Sequence, residues 1–288
     1  MALQRISARN ARFQQLQTLL GNRAKRGRAK EFLVQGVRPI TMAVEHGWTI
    51  RSLIHDADRP LSRWAEDLVR RAGAERIAMA PGLLAELSEK GEGAAELLAV
   101  VGMAPDSLSR IPVHEDFLGL LFDRPTQPGN IGSIVRSADA MGADGLIVTG
   151  HAADPYDPKS VRASTGSLFS VPVVRSPSHR EVMEWLDGER ARGRPVAVVG
   201  TDENGDAEIA DFDLVQPVLL LIGNETTGLS AAWRALCDHV VSIPMTGSAS
   251  SLNASNAASV VLYEARRQRL ARSGHTSRAA SAVPAQRR

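Results

Sequence analysis

The sequence has almost no cysteine, since Cys237 is the only one among its 288 residues. A disulfide within the chain and a multi-cysteine metal site are therefore excluded, which fits a reducing compartment. No apolar run reaches the roughly 18 residues of a membrane-spanning helix. The N-terminal stretch MALQRISARNARF has no apolar run after its basic residues, as a secretory signal would have. We therefore expect a cytoplasmic protein without membrane contact.

The familiar signatures of phosphate binding and of hydrolysis are also missing. The stretch GNIGSIV lacks the G-x-G-x-x-G spacing, and no GK[ST] is present. A nucleophilic serine within residues 248–251 has neither a G-x-S-x-G elbow nor a convincing histidine partner. Four histidines are scattered without the spacing of metal ligands: His55, His114, His151 and His239. We therefore expect neither a metal nor a dinucleotide cofactor.

Acidic residues are scarce in the first 40 positions, which contain nine basic residues against Glu31 alone. The cluster NRAKRGR at 22–28 has no neighbouring acid with which to pair, and we expect it to form a loop. A concentrated basic segment on a chain of net charge +2 favours a polyanionic partner, of which nucleic acid is the foremost. A solvated helix face is the alternative.

The pattern of apolar runs predicts two α/β domains. Short strands alternate with helices over the first hundred or so residues. Segment 103–112 contains two prolines and no periodicity. Beyond it, near-continuous apolar runs at 117–123, 145–149, 195–200 and 217–222 are typical of parallel strands covered on both faces. We divide the chain into domains at 1–108 and 109–270, followed by a basic, disordered tail at 271–288.

Three expected strand ends carry unusual sequence, and ligands of open α/β sheets bind at such ends. They are DRPTQPGNIGSIVR (123–136), IGNETTGL (222–229) and IPMTGSASSLNASNAASVVLYEARR (243–267). The third is a Gly/Ser loop that enters a helix near Asn253, with Ala254, Ala257 and Ala258 on one side. A ligand or a second chain could approach that helix start closely. An ordinary strand–loop–helix connection has the same pattern.

Together these segments resemble the SpoU/TrmH family of the SPOUT methyltransferases. Its motif N-x-G-x-[IV]-x-R-[ST]-A-x-A-x-G is matched from Asn130 to Gly142. Its motif G-x-E-x-x-G is matched by Gly223, Glu225 and Gly228, and its motif IPM…SLN at 243–245 and 251–253. The first half resembles the family's auxiliary RNA-binding domain. The stretches GVRPITMAVEHGW and HAADPYDPKSVRASTGSLFS are closest to members that methylate 23S rRNA in antibiotic resistance.

The resemblance implies an α/β fold with a C-terminal SPOUT trefoil-knot domain and a smaller, ribosomal-protein-like N-terminal α/β domain that binds RNA. It implies S-adenosyl-L-methionine as the cofactor and a homodimer as the assembly. The implied reaction is 2′-O-methylation of a ribose in RNA, with a uridine of 23S rRNA as the target. A tRNA ribose methyltransferase and a non-catalytic RNA-binding or ribosome-assembly factor are the alternatives.

The same matches imply roles for individual residues. Arg136 matches the family's catalytic arginine. Because an arginine is effectively always protonated, we expect it to grip the target phosphate and stabilise the developing alkoxide, with the proton acceptor left open. Asn130, Glu225 and Asn253 match the other polar positions of the catalytic site, although both asparagines could be helix N-caps and Glu225 could face solvent.

The implied cofactor residues are Gly223, Ile243 and Leu252, with Leu221 and Met245 lining the pocket. For RNA, the phosphate contacts are expected from the basic N-terminal segment and from one position in the second half: Arg9, Arg23, Lys25, Arg26, Arg28 and Arg162.

Overall fold

The computed structural model describes residues 3–88 and 95–272, which build two β-sheets. The N-terminal unit (3–88 and 95–102) holds the strands β1 (Leu3–Ile6), β2 (Glu31–Gln35), β3 (Ile50–Asp56), β4 (Glu75–Met79) and β5 (Leu97–Gly102). Its helices are α1 (Ala11–Gly21), α2 (Arg23–Ala29), α3 (Val37–Glu45), α4 (Arg63–Ala72) and α5 (Pro81–Leu87). The sheet order is β1-β4-β3-β5-β2, and the pairings of β5 with β3 and β2 are antiparallel.

The C-terminal unit (118–272) holds the strands β6 (Leu118–Asp123), β7 (Gly145–Thr149), β8 (Val173–Ser176), β9 (Ala197–Thr201), β10 (Ala207–Glu208), β11 (Val218–Ile222) and β12 (His239–Ser242). Its helices are α6 (Pro128–Met141), α7 (Pro158–Ala163), α8 (His179–Ala191), α9 (Ala231–Leu236) and α10 (Ala254–Arg272). The sheet order is β10-β12-β9-β11-β6-β7-β8, and every pairing is parallel.

The second sheet has its most apolar strands at its centre. All six residues of β6 and all five of β11 are buried. Such strands need cover on both faces, which the helices provide. The predicted α/β class, with a parallel sheet in the second half, is confirmed.

The basic cluster at 22–28 is not the loop that we expected. It forms helix α2, and the Asn22 side chain caps that helix by accepting a hydrogen bond from the backbone N–H of Lys25 at 3.0 Å. Asparagine is a favoured N-cap because its side-chain oxygen satisfies a free N–H of the first turn. The helix is only seven residues long, which is too short to give a periodic apolar stripe.

The segment between the two units is bound to the C-terminal unit by side-chain contacts. The Arg110 guanidinium donates to the carbonyl of Val173 at 3.0 Å, and Arg175 pairs with Asp106 at 2.6 Å. The boundary at residue 108 stays a prediction. Of the expected tail, residues 271 and 272 belong to α10, and 273–288 lie outside the described residues. No helix in the described ranges is long and apolar enough to cross a membrane.

Candidate functional site

A cleft lies at the carboxyl ends of β9, β11 and β12, where ligands of parallel sheets bind. Its volume is about 360 Å³, inside the range of about 300–1,000 Å³ that is usual for small-molecule sites. Four segments line it: residues 201–203, residues 222–228, the loop residues Ile243, Met245, Ser250, Ser251 and Leu252, and the helix residues Ala254 and Ala257.

The turn after β11 is closed on itself, which explains its glycines. The backbones of Asn224 and Gly228 exchange hydrogen bonds of 2.9 and 3.1 Å. A Cβ atom on Gly223 would lie 2.4 Å from the carbonyl carbon of Gly228, and Gly228 itself has a φ of +63°. Only glycine fits both positions without strain. Gly223 therefore shapes the cleft wall as well as lining it.

The carboxylate of Glu225 holds the start of helix α6. Its Oε2 accepts from the N–H and the hydroxyl of Thr126 at 2.9 and 3.0 Å, and its Oε1 accepts from the N–H of Gln127 at 3.0 Å. Burial alone would raise the pKa of Glu225, but these hydrogen bonds outweigh it and lower the pKa below its usual range. An acid held in this way is a weak proton acceptor, so the geometry favours an anchoring role.

Asn130, in the first motif segment, is hydrogen-bonded both to Glu225 and to Asn253 of the third motif segment. Its Nδ2 donates to Glu225 Oε1 at 3.1 Å, and its Oδ1 accepts from Asn253 Nδ2 at 3.2 Å. The three polar residues expected in the catalytic site therefore form one hydrogen-bonded row beside the cleft. Sequence segments separated by up to 123 positions meet there.

The two asparagines differ in their local roles. Asn253 caps α10, because its Oδ1 accepts from the N–H of Ser255 at 2.8 Å and its carbonyl from the N–H of Ala257 at 2.9 Å. Asn130 is not an N-cap, because α6 begins two residues earlier at Pro128. The proline occupies the first turn, where its missing N–H costs nothing.

The small residues of α10 serve two contacts. Ala258 is fully buried in the core, and Ser259 shares a 2.8 Å hydrogen bond with Ser137 of α6. Ala254 and Ala257 line the cleft. The small side chains thus allow α10 to approach α6 while leaving room beside its first turn.

Four of the five expected cofactor residues line the cleft: Gly223, Ile243, Met245 and Leu252. Leu221 does not, so that expectation is wrong. Successive side chains of a strand point to opposite faces; Ile222 faces the cleft, whereas Leu221 is fully buried in a core cluster with Trp233.

Arg136 lies apart from this row. It is an exposed residue on α6, six positions after Asn130, and it does not line the cleft. No hydrogen bond or ion pair of its side chain is seen within residues 3–88 and 95–272. Its guanidinium is therefore available to a group that approaches from outside.

The residues expected to bind RNA differ in their contacts and exposure. Arg9 pairs with Glu86 at 2.6 Å, and Arg23 donates to the carbonyl of Ala152. Lys25 and Arg28 are exposed on α2, and Arg162 is exposed at the end of α7.

The expectation that Arg26 contacts RNA is wrong, because its side chain is only 2% exposed and pairs with Asp154 at 2.8 Å. A cationic side chain can be buried when a carboxylate compensates its charge. The carboxylate lies 128 residues away in the chain, so no local pattern revealed it.

Sequence reasoning missed Thr201, Asp202 and Glu203, which line the cleft at the carboxyl end of β9. The signal was available, because they follow one of the four predicted apolar strands directly. It also missed Arg124, which has a φ of +50° and donates to the carbonyl of Gly228 at 3.1 Å. Arg124 thereby connects the end of β6 to the turn after β11.

The charge of the cleft restricts its ligand. Among its lining residues the charged side chains are Asp202, Glu203 and Glu225, all acidic. Such a lining disfavours phosphate-bearing nucleotides and suits a cationic or neutral ligand. S-adenosylmethionine carries a sulfonium and no phosphate, so the residues present fit it.

Two family models match the chain. The SpoU L30e-like domain matches residues 10–99, and the SpoU rRNA Methylase family matches residues 118–263. The "23S rRNA (uridine(2479)-2'-O)-methyltransferase" of Streptomyces viridochromogenes is 67% identical over 276 residues, which cover 96% of each chain.

Solved structures give the same result. The SpoU methyltransferase AviRb from Streptomyces viridochromogenes, in complex with the cofactor AdoMet, is 68% identical with a TM-score of 0.89, covering 91% of this chain and 99% of that one. An AdoMet-bound rRNA methyltransferase from Sinorhizobium meliloti is 26% identical with a TM-score of 0.81, covering 92% of this chain and 98% of that one.

Proposed function

Because the chain belongs to the SpoU rRNA methylase family, we propose that it transfers a methyl group from S-adenosylmethionine to a ribose 2′-oxygen of RNA. We take a uridine of 23S rRNA as the substrate. The observation that carries this proposal is the 67% identity, across 96% of both chains, to an enzyme named for that reaction. In this chain the acidic cleft would bind the cofactor, and the hydrogen-bonded row beside it would hold the segments around the cleft in place.

The cleft residues would hold the cofactor, which supplies an electrophilic methyl group when bound. The turn at 222–228 and the loop residues Ile243 and Leu252 would enclose it. The carboxylate of Glu203 would favour its positive charge, whereas that of Asp202 is paired with Arg234 at 2.8 Å. Glu225, Asn130 and Asn253 would hold the turn at 222–228 and the starts of α6 and α10 together, because their side chains are hydrogen-bonded in series.

Arg136 would act on the RNA. A ribose hydroxyl is a poor nucleophile, so the site must orient it, and orientation can contribute up to about 7–11 kcal/mol. A guanidinium binds a phosphate through two parallel hydrogen bonds and stabilises negative charge on a nearby oxygen. The exposed guanidinium of Arg136 suits that role better than the role of a base.

Methyl transfer to defined RNAs tests the proposal. The protein would be incubated with a methyl-labelled cofactor and, separately, with 23S rRNA and bulk tRNA, and the 2′-O-methyl positions mapped. We expect label at one uridine of 23S rRNA. Label in tRNA alone would favour the tRNA alternative. Absence of cofactor binding by calorimetry would instead favour a non-catalytic RNA-binding or assembly factor.

We also propose that two copies assemble into a homodimer. Two exposed apolar side chains on α10, Val260 (39% exposed) and Tyr263 (59% exposed), lie one turn apart on that helix. A second copy would cover them and would bring further side chains to a cleft that Arg136 of the same chain does not line. Light scattering during gel filtration measures the mass, and a monomer would contradict the proposal.

Three finer features complete the proposal. A trefoil knot formed by the C-terminal segments would bring the loops after β11 and β12 together around the cleft. The site of action would be the cytoplasm, where ribosomes are found.

A role in antibiotic resistance would appear as reduced susceptibility of a strain that expresses the protein, and unchanged susceptibility would exclude that role.

A further inference from the structure

Arg26 is the most deeply buried cation of the contact between the two units. Its side chain is 2% exposed, and its Nε donates to Asp154 Oδ2 at 2.9 Å. Its Nη1 donates to the carbonyls of Leu19 and Leu20, both at 2.9 Å, and its Nη2 lies 3.4 Å from Asp157 Oδ2. The guanidinium therefore joins the end of α1 to two carboxylates of the C-terminal unit.

The partner carboxylate is itself held in place. Asp154 is 4% exposed, and its Oδ1 accepts from the N–H of Tyr156 at 3.1 Å and lies 3.9 Å from Arg175. Nε and Nη2 of Arg26 both point at Oδ2 of Asp154, at 2.9 and 2.8 Å, so the planar guanidinium has little freedom to rotate relative to that carboxylate. This ion pair specifies a register between the units.

Further contacts join the N-terminal unit to the C-terminal unit. Arg38 donates to the carbonyl of Thr165 at 3.1 Å, and Trp48 Nε1 to the carbonyl of Phe169 at 3.0 Å. The ring of Phe32 lies 4.8 Å from that of Tyr156 and 6.3 Å from that of Phe169, measured between ring centroids. One apolar core runs through both units, from Phe32 and Val34 to Leu118 and Leu120.

We propose that Arg26 is a positioning residue, which holds the N-terminal unit in the one register that delivers bound RNA to the cleft. The inference rests on the proposed function, in which the first unit binds RNA and the second transfers the methyl group. Arg26 acts through Asp154 and touches neither RNA nor cofactor. The exposed cations of the same helix, Lys25 and Arg28, are left for the phosphates.

Kinetics with a 23S rRNA fragment separate positioning from RNA binding. In Arg26→Met the register is loosened while the phosphate ligands remain. We expect kcat to fall between about 10-fold and 10²-fold, the loss typical of a reacting group misplaced by about 1 Å. The dissociation constants of RNA and of cofactor should stay close to the wild-type values. A merely structural ion pair would lower the melting temperature and leave kcat unchanged.

The salt dependence of RNA binding gives a second readout. The logarithm of the RNA association constant falls linearly with the logarithm of the salt concentration. Removing a lysine or arginine that contacts a phosphate reduces the magnitude of that negative slope by about one. We expect that change in Lys25→Ala, the matched control on the same helix, and no change in Arg26→Met. A reduced slope in Arg26→Met would assign Arg26 to the phosphates and overturn the proposal.

Three further variants distinguish a lost register from misfolding. Asp154→Asn leaves an oxygen for the N–H of Tyr156 and removes the charge that Arg26 needs, so it should reproduce the loss of kcat. The double variant should lose no more than either single one, because both remove the same contact. Arg26→Lys keeps the charge but lacks the planar fork, and we expect it to recover part of kcat. Additive losses would contradict the proposal.

A distance measurement tests the register without any reaction. Spin labels would be placed at Gln17→Cys and Glu184→Cys, exposed positions of α1 and α8, in a Cys237→Ser background. The labels at Glu184→Cys and Arg266→Cys, both in the C-terminal unit, form the control pair. We expect Arg26→Met to broaden or shift the first distance distribution only. An unchanged first distribution overturns the inference, whereas a wild-type protein that methylates no RNA overturns the proposed function alone.

Discussion

Glu225 and Asn130, 95 residues apart in the chain, are joined by a hydrogen bond of 3.1 Å from the asparagine Nδ2 to the glutamate Oε1. The same carboxylate accepts from both Thr126 and Gln127, just before helix α6. The turn after β11 and the start of α6 are therefore fixed to each other by these hydrogen bonds. We propose that Glu225 acts by keeping this turn and this helix start together.

Replacing Glu225 by Gln should lower the free energy of unfolding at pH 7 by about 1 kcal/mol, because hydrogen bonds to a charged acceptor are strong but half-exposed ones are screened. The pKa of Glu225 is lowered in the folded protein. Its contribution is therefore fully present above the unfolded pKa of about 4.3 and is lost as the pH falls through the lower folded value.

Denaturant unfolding of the wild type and Glu225→Gln from pH 7 to pH 3 measures this difference. The control is Glu203→Gln, since Glu203 lines the same cleft but is exposed and has no side-chain hydrogen bond within the described residues. A difference that persists at the acidic end would show that the charge of Glu225 is not its source.

Gly132 of α6 packs closely against α7. A Cβ atom there would lie 2.1 Å from the carbonyl oxygen of Ser160 and 2.8 Å from Cβ of Ala163. Gly132→Ala should therefore destabilise the fold by about 1–3 kcal/mol through overpacking. In Gly129→Ala the new methyl group meets nothing within 4 Å, so the same change on the same helix should be neutral or stabilising. Thermal unfolding compares the two, and equal losses would refute the close contact.

Ala257 leaves space in the cleft beside the first turn of α10. A leucine there would extend into the space that the cofactor needs, so Ala257→Leu should weaken S-adenosylmethionine binding at least about tenfold, equivalent to about 1.4 kcal/mol. Asn256 is the neighbouring exposed residue, and Asn256→Leu is the matched control. Calorimetric titration measures both constants, and gel filtration reports any effect on dimerisation. Wild-type affinity and mass in Ala257→Leu would reduce this helix start to scaffold.

Arg136 is expected to hold the target phosphate through two parallel hydrogen bonds, which a lysine cannot reproduce. Arg136→Lys should therefore reduce the single-turnover rate at least about tenfold, with cofactor affinity unchanged, because Arg136 does not line the cleft. Arg180 is an exposed arginine on α8, and Arg180→Lys controls for a loss of surface guanidinium. Near-normal turnover in Arg136→Lys would refute the bidentate grip.

Several features could be predicted from the sequence because their causes are local. The apolar runs of β6 and β11 identified buried parallel strands, since a strand covered on both faces needs apolar side chains at every position. A cap at Asn253 is one of the two roles that the sequence allows, because a capping side chain satisfies N–H groups only two or so residues away. The motif segments lay at strand ends, where the sheet places its ligands.

Other features could not be predicted, because their causes are distant in the chain. The basic segment at 22–28 suggested that all its cations face RNA, yet Arg26 turns inward to a carboxylate 128 residues away. Leu221 and Ile222 are equally apolar and adjacent, and only the orientation of β11 in the sheet decides which one faces the cleft.

The sequence by itself determined the fold class, because apolar periodicity is a property of the chain alone. The resemblance of its motifs also gave the family and three of the four segments that line the cleft. Only the tertiary structure decided that Glu225 anchors α6, that Arg136 stands apart from the cleft and that Arg26 joins the two units. The physical reason is the same in each case. Folding decides which distant groups come within about 3 Å of a charged side chain: it brings such partners to Glu225 and Arg26 and brings none to Arg136 within the described residues.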